Sequence, residues 1–149
     1  MKNWRWQLGF FVSAGILVST LNHGLPTLDA RFHYSVEEAR YFLSSLTPID
    51  ERRHFWGECA DLFLFIPAYV ALLLRLAHNA KNKMLGNFIA LAATADVIET
   101  GTILYCLQSG NLAPHYLPEF TTMKWLCLGA FGVLYLAEQK LFFRYLRRR

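Results

Sequence analysis

The sequence predicts an all-α polytopic membrane protein, with four transmembrane helices and a short interfacial helix in one domain over residues 1–149. Three observations carry that expectation. The chain is 54% hydrophobic over 149 residues, and its mean hydropathy is +0.24. Its apolar residues gather into four blocks, near 7–25, 48–76, 84–108 and 120–143. Each is close to the roughly 20 residues that a helix needs to cross a hydrocarbon core. Lysine and arginine then concentrate on alternate sides of those blocks.

The first block runs from Gln7 to Leu25 behind Lys2 and Arg5, a beginning that a signal peptide would share. Asn22, His23 and Pro26 close the block where an A-x-A-like cleavage site would otherwise stand, so a retained helix is expected. The second block is the far end of a longer helix. Thr47 supplies an N-cap, Pro48 the first helical position, and Asp50 an acid three residues after the cap. Helix can then continue to Leu76, with a kink expected at Pro67. The third block holds Asp96, Glu99 and Thr100, and the fourth runs from Lys124 and Trp125 to Arg144 and the Arg147-Arg148-Arg149 tail. In the long first connection, Ser35-Val36-Glu37-Glu38 is a capping-box pattern that begins a helix over 36–46. Val36, Ala39, Leu43 and Leu46 share one stripe of it, which suits a helix lying on the membrane surface.

Charge asymmetry gives the expected orientation. Lys2, Arg5, Arg75, Lys81, Lys83, Lys140, Arg144 and the three terminal arginines fall on one side. Arg31, Arg40, Arg52, Arg53 and Lys124 fall on the other, where Asp29, Glu37, Glu38, Asp50 and Glu51 balance them. Both termini are therefore expected on the cytoplasmic side of the membrane. The basic tail reads as a contact for anionic lipid. The net charge of +4 does not indicate nucleic acid, because no base-reading motif accompanies it. Cys59, Cys106 and Cys127 sit inside apolar blocks at no metal or disulfide spacing, and read as small apolar fillers. Gly129, Gly132 and the alanine run 90, 92, 93 and 95 are expected at close helix contacts, and Trp4, Trp6 and Trp125 as interfacial anchors. No Ser-His-Asp set, P-loop or dinucleotide fingerprint is present, and no cofactor is implied.

The chemistry is concentrated in four intramembrane carboxylates at matched spacing, Glu58 and Asp61 in the second block and Asp96 and Glu99 in the third. Residues three apart share a helix face. A charge at the bilayer centre costs between about 2.5 kcal/mol and well over 10, so these acids are expected to point into the bundle. His23 and Lys124 end or begin their helices at the same outer level. His54, Glu58, Asp61, Phe65 and Tyr69 share one stripe of the second helix. Acids above aromatics predict a pocket for a lipid-like or cationic amphiphilic ligand. Its expected residues are Glu58, Asp61, Asp96, Glu99, His23, Lys124, Phe65 and Tyr69. Three other readings stand beside it: carboxylates that only hold the helices in register, as in an accessory subunit; proton or ion translocation; and a membrane enzyme using two acids as proton donor and acceptor. A dinuclear metal site lacks the Glu-x-x-His spacing of four-helix di-iron proteins, and no metal is expected.

Leu28-Asp29-Ala30-Arg31 with Tyr34-Ser35, Glu51-Arg52-Arg53, Asp61 before Pro67 and Tyr69, Ala95-Asp96 with Glu99, and Lys124-Trp125 together resemble a group of uncharacterised bacterial four-span membrane proteins. That resemblance implies topology and no activity. The layout is also similar to the emopamil-binding and sigma-2 receptor (EXPERA) superfamily. The similarity lies in four helices, an acid after the first (Asp29), and an acid upstream of a proline in the second (Asp61 and Pro67). It implies an amine- or sterol-binding pocket, with isomerase chemistry as an extension. Phe65 stands where that superfamily would place a polar residue, and the third helix departs from its pattern.

Overall fold

Capping residues and two prolines determine where the helices begin. The computed structural model describes residues 4–22, 28, 31–80 and 82–146, with side chains for all of these except Trp4 and 141–146. His23, Pro26, Asp29 and Lys81, as well as Lys2 and the terminal arginines 147–149, lie outside the described residues, as do the Trp4 and Arg144 side chains. Every described element is helical. The helices are α1 (Trp4–Leu21), α2 (Val36–Ser45), α3 (Pro48–Ala60), α4 (Ile66–Ala80), α5 (Lys83–Ser109) and α6 (Leu117–Leu146). A π-helical turn at Asp61–Phe65 joins α3 to α4.

Three helical stretches among the described residues are long and apolar enough to cross a membrane: Pro48–Ala80, Lys83–Ser109 and Leu117–Lys140 within α6. Helix α1 has 18 residues, a rise of about 27 Å. Its first turn carries Arg5 and Gln7, which shortens its apolar stretch. Large apolar side chains are exposed on all of these helices, among them Phe10, Phe63, Leu91 and Val133. In a water-soluble bundle those surfaces would be polar.

The cap patterns form as their chemistry requires. The Ser35 side chain accepts from Glu38 N at 3.1 Å, and Glu38 Oε2 accepts from Ser35 N at 2.6 Å. Thr47 Oγ1 accepts from Asp50 N at 3.3 Å and donates to Asp50 Oδ2 at 2.6 Å. Helix α5 ends at Gly110, whose φ of 68° is the left-handed conformation that glycine adopts without a Cβ clash. The apolar stripe of α2 is occupied by protein. Ala39 is fully buried with Leu28, Tyr34, Ile103, Leu107, Ala113 and Leu117, while Leu43 and Leu46 pack against that cluster.

Pro67 alters the helix ahead of itself. It has no N–H to offer the carbonyl four residues back, and its ring crowds that carbonyl. The chain widens into the π turn just before it, and Ile66 N donates to the Asp61 carbonyl five residues earlier. One extra residue in a turn rotates everything beyond it by about 100° relative to an unbroken α-helix. The single stripe expected from His54 to Tyr69 is therefore divided at Asp61.

Two apolar clusters lie at opposite ends of α5. Leu28, Ile103, Leu107 and Leu117 belong to one, and Ala77, Leu85, Ile89 and Phe131 to the other. Between them α5 presents Ala92 and Ala95 together with Asp96, Glu99 and Thr100, all buried. The expectation for Gly129 and Gly132 is corrected, since among the described residues nothing lies within 4 Å of a Cβ built at either. The close approaches are elsewhere: a Cβ on Gly57 would stand 2.5 Å from Asn22 Oδ1, and one on Gly15 3.3 Å from the Phe65 ring.

The capping box gives a pH-dependent prediction. Hydrogen bonds from the Ser35 backbone and side chain hold the Glu38 carboxyl below its ordinary value. A depressed pKa contributes stability above the ordinary carboxylate range, and that contribution is lost as pH falls through the lowered value. Hydrogen-exchange protection of α2 should weaken with acid over that window, and Glu38→Gln should remove the dependence. Ser35→Ala should cost about 1 kcal/mol of local stability.

Candidate ligand-binding site

On α6, Thr121 and Lys124 stand one turn apart on the face toward α5. On α5, Asp96, Glu99 and Thr100 face back, because spacings of three and four share a helix face. The result is a buried charge bracket. Lys124 Nζ donates to Asp96 Oδ1 at 2.8 Å and lies 2.8 Å from Glu99 Oε2. The other Glu99 oxygen accepts from Tyr34 Oη at 3.1 Å and contacts Thr121 Oγ1. The Tyr34 and Thr121 hydroxyls are 2.9 Å apart. Asp61, brought in by the π turn, accepts from Thr100 Oγ1 at 3.2 Å. Three carboxylates and one ammonium thus lie in one layer that water barely reaches. If all are ionised, the layer carries excess negative charge, which a proton or a cation must balance.

A second polar cluster joins α1 to α3. His54 Nδ1 is 2.9 Å from Asn22 Oδ1, and His54 Nε2 is 3.4 Å from Glu58 Oε1. All three side chains are buried. Asn22 fits there because Gly57 leaves its niche open.

A cavity of about 410 Å³ adjoins both clusters. Its polar end is formed by Asp61, Asp96, Lys124 and Asn22. Its apolar walls come from Phe11 and Val18 on α1, Phe65, Tyr69, Leu72 and Leu73 on the central helix, and Trp125 and Leu128 on α6. Phe65 links the walls, stacking on Phe11 at a centroid distance of 5.1 Å and meeting Tyr69 edge-on at 5.9 Å. Among the described residues the buried Tyr69 hydroxyl has no well-formed hydrogen bond, and it lies beside Asp96. Lys124 also stands 5.9 Å from the Trp125 ring centre.

Of the eight residues expected in the site, Asp61, Asp96, Lys124, Phe65 and Tyr69 line this cavity. Glu99 lies behind Lys124, and Glu58 pairs with His54, so neither is among the lining residues. His23 lies outside the described residues. The part of α1 is taken instead by Asn22, which sequence reasoning read only as the end of a block. Tyr34 and Thr121 went unassigned as partners of Glu99. Thr121 had a usable signal, since it precedes Lys124 by one helical turn. Tyr34 had none, because its contact spans 65 positions of the chain. Cys59, Cys106 and Cys127 are free thiols. Among the described residues, no three His, Cys, Asp or Glu side chains converge as metal ligands would.

No known family, curated protein or solved structure matches this chain. The reading of the site therefore rests on its own geometry.

The bracket sets a stability prediction. Lys124→Met leaves two carboxylates facing each other without their cation, and should cost about 3–5 kcal/mol. Adding Asp96→Asn and Glu99→Gln should recover most of that loss, because the uncompensated charge disappears with them. Thermal unfolding in mild detergent would read both effects, and a triple variant no more stable than Lys124→Met would refute the account.

Proposed function

We infer that the protein is a four-span integral membrane protein that binds a lipid-like or cationic amphiphilic molecule. In this reading α1 is the fourth span, both termini are cytoplasmic, and the membrane is a bacterial inner membrane. The C-terminal arginines meet anionic lipid. The α2 helix rests at the outer interface while its apolar stripe faces the bundle. The layout likeness to the emopamil-binding and sigma-2 receptor superfamily belongs to the same proposal.

The observation that carries the reading is the combination in one cavity of apolar walls and a surplus of carboxylate. A volume of about 410 Å³ lies within the range of small-molecule sites. The aromatic groups Phe11, Phe65, Tyr69 and Trp125 suit an apolar body or a cationic head. Asp96 is already engaged by Lys124, whereas Asp61 has the neutral Thr100 hydroxyl as its donor. Asp61 is thus the better placed of the two to accept a ligand's positive charge.

A second reading is favoured by one feature. Asp61 and Asp96 line the same apolar cavity, with the Tyr69 hydroxyl beside them. Two carboxyls in unequal surroundings can divide the roles of proton donor and acceptor, which suits an isomerase-type reaction on a lipid.

Native mass spectrometry of the protein extracted from its membrane tests the binding reading. A bound amphiphile should be present in the parent and fall at least about tenfold in Asp61→Asn, the scale of a charge-assisted hydrogen bond. Ligand occupancy unchanged in well-folded Asp61→Asn and Asp96→Asn variants would refute it. Chemical conversion of the bound lipid by the purified protein, abolished by the same substitutions, would establish the enzymatic reading instead.

A further inference from the structure

We propose that the cavity is loaded sideways from the hydrocarbon core, through the seam between α1 and α6, and that Asn22 is the positioning residue that keeps this seam closed. The inference rests on the membrane reading but on no particular ligand.

The packing defines the seam. Helix α1 packs on α3, the π turn and α4, whereas α6 packs on α5 and, to a lesser extent, α4. Phe11 and Val18 on α1 and Trp125 and Leu128 on α6 all line the cavity. The charged groups at the polar end are buried, Glu99 bonded to Tyr34 and Thr121 and Asp61 to Thr100. The outer flanks of both walls are apolar and exposed, with Ile16 and Leu17 on α1 and Met123 and Leu126 on α6. A bilayer supplies molecules to such a seam directly.

The fastening of α1 is lopsided. Along most of its length it is held by apolar contacts, chiefly Ala14 and the Phe11–Phe65 stack. Among the described residues its hydrogen bond to another helix is the one between Asn22 and His54. Asn22 is buried at the end of α1, seated against Gly57, where a single methyl group would collide with it. His54 in turn is set by Glu58 on the next turn of α3. Asn22 therefore pins the end of the movable wall to the central helix, and its side chain also forms part of the cavity. Apolar contacts are non-directional, whereas the hydrogen bond of a buried amide in a fitted niche is lost when its helix shifts. Release of that amide is the step that opens the wall.

A chemical probe that needs no natural ligand tests this. Cys59, Cys106 and Cys127 are replaced by alanine, and Leu72→Cys places one thiol on the cavity wall. The protein is reconstituted into phosphatidylcholine vesicles and treated with either an N-dodecyl maleimide or a sulfonated maleimide confined to water. The bilayer-borne reagent should label the thiol at least about tenfold faster. Gly57→Ala displaces the Asn22 side chain through a residue that is not itself in the lining, and should raise that rate about tenfold, the scale of one buried hydrogen bond. Asn22→Ala should do the same. The two together should give no further increase, because they release one fastener. Equal labelling by the water-borne reagent overturns lateral loading, and this comparison holds even if the Asn22 and Gly57 variants fail to fold. Rates within twofold of the parent in folded variants overturn the role of Asn22. Either failure leaves the binding reading standing, since that reading is judged by bound amphiphile and Asp61.

Discussion

Lys124 between Asp96 and Glu99 is the contact on which the rest of the arrangement depends. It lies where two apolar clusters leave a gap along α5, and it closes that gap with charge instead of hydrocarbon. A cation held by two carboxylates 2.8 Å away tolerates little sliding of α6 along α5. Tyr34 and Thr121 complete the same group by meeting the far oxygen of Glu99. The segment before α2, the middle of α5 and the start of α6 are thereby tied to one atom group. The bracket also sets the chemistry of the cavity beside it, since Lys124 contacts Asp96 and Glu99 while Asp61 accepts from the Thr100 hydroxyl.

The central helix contributes through an irregularity. Pro67 cannot complete the helical ladder, and the chain answers with a π turn that begins at Asp61. The residues before the turn, His54 and Glu58, meet Asn22 on α1. Those after it, Phe65 and Tyr69, form cavity wall. A single unbroken helix would have brought both sets to one face. The offset is what lets one helix serve a structural clasp on one side and a cavity on the other, with Asp61 at the point of change. π turns are rare and are found frequently at functional sites.

Buried charge without full compensation is costly in any protein and more so in a membrane. A chain selected only for helix register would do better with Leu in place of Asp61, because the bracket already fastens α5 to α6. The third carboxylate, beside an aromatic cavity, is what supports the binding reading proposed above over a purely structural one. The small size of the group also bears on this. One lysine, three acids, one tyrosine and two threonines make a network in which a change of charge at any member is felt by the others.

The sequence by itself determined the helices, their caps and the residue types of the polar layer. Ser35 with Glu38 and Thr47 with Asp50 are local patterns whose partners lie three residues away, so no tertiary knowledge is needed to read them. The spacing of Asp96 and Glu99 in α5, the position of Lys124 and the run of Asp61, Phe65 and Tyr69 along their helix are likewise local, and all but Glu99 of these residues line the cavity. Tertiary structure decided which acids pair with which cation. It placed Glu58 with His54 and Asn22, and set Glu99 behind Lys124, out of the lining. It also moved the close helix contact from Gly129 and Gly132 to Gly57. The reason is the same in each case. Periodicity gives the direction of a side chain around its own helix, but which helix stands opposite depends on packing between segments far apart in the chain, and a single π turn is enough to re-aim half of a helix.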